Sequence, residues 1–294
     1  MNNLINHIRG KSTKPKGNAS KPLASQSEKQ GPRQTVNLGG NSSAEFLKTV
    51  KARRTYYSLS NASPISNAEI RAIVESAVTH VPSSFNGQTS RAVLLTGKSH
   101  QKLWEIVKTG YIKSLGVKAP ADIIKQSEDK IGGYAAGYGT VMFFEDQAGV
   151  ERLAHQLRFV ADHFPTWSEN ATGMLQFVVW TALEAEGLGA SLQHHAAYAD
   201  EIASGIRREF GLSETWKCTG LMPFGVPVGP PGQPGREKTF KLIGERVRVI
   251  NDASVRSLKP SAPQPPHSPA TSAPFLRTVK ARRTYYGLSN TSPI

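Results

Sequence analysis

From Ser43 onward the apolar residues recur at helix or strand spacing. Phe46, Leu47 and Val50 fit one helical stripe, and the segment runs into Arg53-Arg54-Thr55-Tyr56-Tyr57. Ser66-Asn67-Ala68-Glu69 reads as a capping box ahead of Ile70, Ile73, Val74 and Ala77, so a second helix opens there. The turn-rich stretch Pro82-Ser83-Ser84-Phe85-Asn86-Gly87-Gln88 leads into Ala92-Val93-Leu94-Leu95, which predicts a strand. Leu103, Ile106, Val107, Tyr111 and Ile112 predict a further helix, and Thr140 to Phe144 a second, buried strand closed by Glu145-Asp146. Leu175 to Glu186 is apolar on nearly all faces and predicts a buried helix. Ala199 to Phe210 has one apolar face, while Lys217 to Met222 and Val247 to Ile250 are the expected late strands. Helices and strands are mixed without regular βαβ alternation, so the class is α+β.

Either side of this region the pattern stops. Residues 1–44 have few apolar positions and predict a disordered basic tail; 45–250 form the folded domain; 251–274, with six prolines, form a linker. Phe275 to Ile294 then repeats Phe46 to Ile65, with 17 of 20 positions identical and only Lys48/Arg277, Ser58/Gly287 and Ala62/Thr291 different. A lone first helix has nothing to bury its apolar face against. The expectation is therefore a truncated repeat without chemistry of its own, left by an incomplete duplication or a misjoined gene. The alternative is a decoy that competes for the Phe46 helix position.

Charge changes this picture only at the ends. The chain of 294 residues carries a formal charge of +14, which invites a nucleic-acid reading. Residues 1–44 hold seven basic residues and one acid, and 251–294 hold six and one. The 45–250 region has 23 basic against 20 acidic residues, close to neutral. A nucleic-acid-binding protein needs its cations on a folded face, so no specific nucleic acid is expected. Cys218 is the single cysteine, so no disulfide forms within the chain. The longest apolar runs are shorter than a membrane span, and no membrane association is expected. The tail is Lys-rich and interrupted by prolines, which argues against mitochondrial import and for a cytoplasmic protein, with nuclear entry open through the basic ends.

Several short segments could carry chemistry. Arg53-Arg54-Thr55 offers guanidinium forks and a hydroxyl to a phosphate, although adjacent surface arginines are commonly only solvated. The Ser83 to Gln88 loop offers carboxamides, each both donor and acceptor, that suit the edge of a flavin or base; on loop composition alone an ordinary self-bonded turn is the better reading. Gly187-Leu188-Gly189-Ala190-Ser191-Leu192-Gln193-His194-His195 has small residues that admit a planar ligand, and its adjacent histidines cannot both face one ion, so no metal is expected. Gly132 to Gly139 precedes a strand and lacks a P-loop lysine, which removes the phosphate-loop reading. Arg236 and Lys238 follow a Pro/Gly loop and add cations to the same phosphate. No nucleophilic triad or carboxylate pair is visible.

The order of these segments is more specific than any one of them. Arg-Arg-Thr, then Ser-Ser-x-Asn-x-Gln before a strand, Gly-Leu-Gly-Ala-Ser-Leu-Gln-His after a buried helix, Met222-Pro223-Phe224-Gly225 and a late basic pair together resemble the FMN-dependent nitroreductase family. The strings Ala52 to Tyr57, Gly137 to Asp146 and Trp216 to Gly225 most resemble its fungal, fatty-acid-repression-mutant-type branch. The likeness covers about residues 45–250. It implies a mixed, mainly antiparallel sheet flanked by helices, in a homodimer with FMN at the interface. It further implies that Arg53, Arg54 and Thr55 hold the FMN phosphate and ribityl chain, and that Asn86 and Gln88 bond the isoalloxazine edge. The backbone at Gln193 and His194 would approach flavin N5, and Arg236 or Lys238 would meet the phosphate. Where the wider family usually has Arg or Lys, this chain has Tyr57, a hydrogen-bond donor without charge that bears on flavin potential and nicotinamide preference. The implied activity is hydride transfer from NADH or NADPH through the flavin to a small aromatic acceptor, nitroaromatic or quinone-like, linked to oxidative-stress or lipid responses. The cofactor carries the chemistry, so no catalytic side chain is expected. The alternatives are a basic nucleic-acid-binding protein, which the charge distribution disfavours, and a flavin-binding regulatory paralogue without turnover.

Overall fold

The structure, a computed structural model, describes residues 43–232, 237–250 and 272–281. The 1–42 part of the basic tail, Arg236, most of the linker and the end of the repeat lie outside the described residues. The helices are α1 (Ser43–Ala52), α2 (Asn67–His80), α3 (Gly97–Leu115), α4 (Ala121–Ala135), α5 (Gln147–Gln156), α6 (Phe164–Ala185), α7 (Asp200–Phe210) and α8 (Ser272–Ala281). The strands are β1 (Leu59–Ser60), β2 (Ser90–Thr96), β3 (Gly139–Asp146), β4 (Gly189–Ala190) and β5 (Trp216–Pro227).

The sheet runs β1-β5-β3-β2 with β4 against β5, and each of these pairings is antiparallel. Its centre, β3, is buried along nearly its whole length, because both faces are covered. Alternate side chains of a strand point to opposite faces. Val141 and Phe143 of β3, with Met222 and Phe224 of β5, meet Leu175, Val179 and Leu183 of α6 and Ile70, Ile73 and Val74 of α2. Met142 and Phe144, with Leu221, meet Leu103, Trp104 and Val107 of α3, Ile131 and Tyr134 of α4, and Ile202 and Ile206 of α7. The apolar run of residues 140–144 thus reflects a strand with two dry faces.

Local signals fix the ends of these elements. The Ser66 hydroxyl accepts the Glu69 N–H at 3.3 Å while the Glu69 carboxylate accepts the Ser66 N–H at 2.8 Å, the reciprocal cap anticipated at α2. Thr140 takes the Trp104 Nε1–H at 3.0 Å and pairs with His100 Nδ1 at 2.9 Å, which ties α3 to β3. Among the described residues no helix is long and apolar enough to cross a membrane, and no cluster of His, Cys, Asp and Glu could hold a metal.

Two expectations change. Val247 to Ile250 is not a strand: the segment is exposed and pairs with no strand among the described residues, since β-branched composition supplies no partner edge. The repeat helix, expected to leave its apolar face bare, is instead packed. Phe275 of α8 is 2% exposed within the α2–α6 cluster, and its ring stacks on Phe46 of α1 with centroids 5.4 Å apart. The helix begins at Ser272, inside the segment expected to be linker.

Candidate functional site

Arg53, Arg54 and Thr55 leave the end of α1 and thread between α6 and β4. The Arg53 N–H still bonds Thr49 O at 3.1 Å, closing the helix. The Arg54 N–H is donated to Glu184 Oε2 on α6 at 2.6 Å. Thr55 forms a parallel bridge with Ala190, the Tyr56 N–H bonds Ala190 O at 3.0 Å, and Thr55 O accepts the Gly232 N–H at 2.7 Å. The close approach needs Gly189, where an added Cβ would lie 2.9 Å from the Tyr56 ring and 2.7 Å from Pro227. The motif is therefore held by its backbone, which leaves its side chains for a ligand.

The Arg53 guanidinium lies over the Trp180 ring, 4.3 Å from its centroid. Its Nη1 is buried without a hydrogen-bond partner among the described residues, and so are Trp180 Nε1 and Ser191 Oγ. Burial lowers the Arg53 pKa, against the opposing charge of Glu184. Arg53 and Lys238 line a cavity of about 330 Å3 whose other walls include Gln176, Trp180 and Leu192. Lys238 is exposed and sits over the Phe240 ring at 5.3 Å. Burial raises the Glu184 carboxyl to about 7, offset in part by the Arg54 N–H and by the charges of Arg53, Arg54 and Lys238. An anion entering this cavity would meet two cationic side chains, the half-buried Arg53 and the exposed Lys238.

Asn86 and Gln88 are elsewhere. Their loop lies against the start of α6, with the Phe85 ring 5.8 Å from Phe164 and 5.9 Å from Trp167. Phe85, Asn86 and Gln88 all have left-handed backbone, at φ 54°, 55° and 51°. Such strain persists where the surroundings over-determine it. The Gln88 N–H bonds Ser83 Oγ at 3.0 Å, and the buried Glu145 behind the loop accepts the hydroxyls of Thr89 at 2.6 Å, Ser168 at 2.7 Å and also Ser90. The Asn86 and Gln88 side chains are left facing solvent. Trp180 stands twelve residues beyond Ser168 along α6, about 18 Å at 1.5 Å per residue. One protomer therefore does not bring Asn86 and Gln88 to Arg53 and Lys238.

Gln193 and His194 follow β4 on the Arg53 side. Gln193 bridges Leu221 through two 2.8 Å bonds, so its own N–H is committed to the sheet and is not the amide left for a ligand. His194 is exposed, whereas His195 is buried with its Nδ1 unpartnered and its pKa lowered by desolvation to about 4. Tyr57 is half-buried and packs on the second core face, beside Tyr134. Glu184 and Trp180 went unread in the sequence, because both sit on a helix that reads as uniformly apolar.

A family model described as Nitroreductase family matches residues 50–226. The chain belongs to the nitroreductase family. Among its relatives, HBN1 of Saccharomyces cerevisiae, provisionally named a nitroreductase, is 34% identical over 210 residues, spanning 71% of this nitroreductase and 98% of HBN1. The nitroreductase FRM2 of the same yeast is 31% identical over 197 residues, 66% of this chain and 92% of FRM2. Both fit the fungal branch that the motifs resemble. The nitroreductase CinD from Lactococcus lactis in complex with nicotinic acid is 36% identical, with a TM-score of 0.61 over 70% of this chain and 100% of CinD. CinD with 4-nitrophenol gives 38% identity, a TM-score of 0.58 and the same coverage. The nitroreductase family and the nitroreductase-like fold of this chain, helices around an antiparallel sheet, are thereby fixed, and an oxidoreductase is the coarse function they support.

Proposed function

We propose that this nitroreductase is an FMN-dependent oxidoreductase that uses NADH or NADPH to reduce a small nitroaromatic or quinone-like acceptor, and that it works as a homodimer. The observation that carries this reading is that Arg53, whose buried Nη1 has no hydrogen-bond partner among the described residues, lines a cavity together with Lys238. A half-buried guanidinium whose nearby carboxylate, Glu184, bonds the Arg54 N–H and not the guanidinium keeps its donors for a dianionic phosphate, and the donor set meets that test. Arg53 and Lys238 hold the phosphate, Trp180 supports Arg53 from below, and Glu184 fixes the Arg54 backbone so that the turn keeps its shape. When bound, FMN supplies a ring that takes up hydride from a reduced nicotinamide and delivers it to the acceptor. The residues of this chain bind, orient and exclude water around that ring.

The distance along α6 argues for two chains per site. Antiparallel pairing of two α6 helices about a twofold axis would set the Asn86 and Gln88 loop of one protomer beside the Arg53 end of the other. The exposed apolar residues Phe240, Leu242, Ile243, Val249 and Ile250 supply an arm for the partner surface. CinD has been solved with nicotinic acid and with 4-nitrophenol, which supports planar aromatic partners for the related pocket.

The deciding measurement is anaerobic addition of NADH and NADPH to gently purified or FMN-reconstituted protein. Expected are a yellow dimer and bleaching of the flavin band, with colour returning on addition of 4-nitroquinoline oxide. A protein that stays colourless after reconstitution overturns the assignment; one that binds FMN without bleaching is the regulatory paralogue.

A further inference from the structure

We infer that the face of α2 and α6 beside α1 is a docking surface for the first helix of a second copy of this chain, and that the repeat helix α8 occupies that surface in cis. The inference rests on the homodimer proposed above and adds which helix meets which groove and what competes for it.

The two helices are near replicas. Ser43–Ala52 reads SAEFLKTVKA and Ser272–Ala281 reads SAPFLRTVKA, so only Glu45/Pro274 and Lys48/Arg277 differ. Their positions are not equivalent. Phe275 is 2% exposed, sunk among residues of α2 and α6, and Leu276 and Val279 pack on the same cluster. In α1 no residue is buried, and Phe46 reaches the cluster from its edge. The groove thus has its best occupant in α8. Because Phe, Leu, Thr and Val recur at the same steps in α1, it cannot distinguish α8 from the first helix of another chain by apolar shape.

The contact between the replicas is itself homotypic. Phe46 stacks on Phe275 with an interplanar angle of 11°, like residue meeting like residue. That is the contact two copies of α1 make when the same patch on each subunit faces its twin. Here both members come from one chain. Without α8, Phe46 and the part of the α2–α6 cluster on which Phe275, Leu276 and Val279 pack would form an apolar patch of the kind that marks an interface.

Competition follows from the tether. Residues 251–271 join α8 to the folded domain, so α8 meets the groove at an effective concentration on the order of millimolar, against micromolar for a second chain. Docking of a second copy therefore requires displacement of α8, and α8 sets the concentration at which the dimer forms.

The test compares two equivalent substitutions in the full-length chain, Phe275→Asp and Phe46→Asp, by sedimentation equilibrium over a concentration series. Phe275→Asp is expected to tighten the dimer at least about tenfold, since it removes the competitor and leaves α1 intact; Phe46→Asp is expected to loosen it by a similar factor. Shifts of the same sign, or no shift while hydrogen exchange shows the groove amides newly exposed, overturn the inference. If either variant fails to fold, a second arm decides. In a Cys218→Ser background, Phe46→Cys/Phe275→Cys bridged by a short bifunctional thiol reagent should stay monomeric at concentrations where the unbridged chain dimerises. A bridged chain that dimerises as strongly as the unbridged one overturns it. A dimer that binds FMN irrespective of all these changes defeats only the docking surface, whereas a chain that binds no FMN in any form defeats the proposed function.

Discussion

Arg53 shows how far a single side chain can be read before its neighbours are known. Its place in an Arg-Arg-Thr motif made it a candidate phosphate ligand through the family resemblance, because charge and order along the chain survive any folding. Its seat on Trp180 and the Glu184 bond to the next amide did not show, since both depend on where a long apolar helix lies against the α1 exit. Loss of a charged donor from this cavity should weaken FMN binding about 10- to 100-fold, so Arg53→Ala and Lys238→Ala are each expected to do so in a fluorescence-quenching titration. Glu184 adds a pH dependence. Its folded pKa is raised to about 7 by burial, so it is largely neutral below that value and gains charge as pH rises through it. A negative charge there opposes an incoming phosphate, and FMN affinity should fall between about pH 6 and about pH 8. Glu184→Gln keeps an acceptor for the Arg54 N–H and removes the charge. Its affinity should fall less over the same range, and equal slopes in the two proteins would reject the role given to Glu184.

Elements whose apolar period matched a buried face were legible: α2, β2, β3, α7 and the second half of α6 lie where their periods predict. α4 was missed because Gly132 and Gly133 look like a loop, yet Ile131 and Tyr134 anchor that turn in the second core face. The end of β3 carries the more consequential surprise. Glu145, anticipated only as a strand terminator, joins β2, β3 and α6 through three hydroxyls and braces the strained 83–88 loop. Glu145→Ala leaves those hydroxyls without their acceptor and should cost about 2–4 kcal/mol in denaturant unfolding, with proteolysis of the loop rising in parallel. His195 links this scale to pH. Its folded pKa lies near 4, below the ordinary 6.5, because burial disfavours the imidazolium. The stability it contributes is fully present above about pH 6.5 and is lost as pH falls towards 4, where the unfolded chain takes up the proton first. His195→Gln should flatten the stability profile across that window; an unchanged profile would place the pH sensitivity elsewhere.

For the molecule as a whole, the +14 charge is concentrated at the two ends, and the near-neutral 45–250 region contains the matched 50–226 segment. The division of the candidate ligand residues between the two ends of α6 was not legible, because a motif's order along the chain says nothing about which copy it serves. That division makes a sharp expectation for mixed subunits. Arg53→Ala chains and Asn86→Ala chains, each weak alone, should on co-refolding restore about a quarter of the wild-type sites, since half the dimers are mixed and each has one intact site of two. Activity no higher than the average of the two parents would place both residues in one protomer.

The stacked Phe46 and Phe275 rings also make neighbours of the first and last described helices, so a clasp joins residues 43–52 to residues 272–281. Pulled between handles at residues 43 and 281 in an optical trap, the molecule should open at this clasp before the sheet bears load. Extension of the chain between the folded domain and the far handle, residues 251–281, would then appear as a first step of at most about 100 Å.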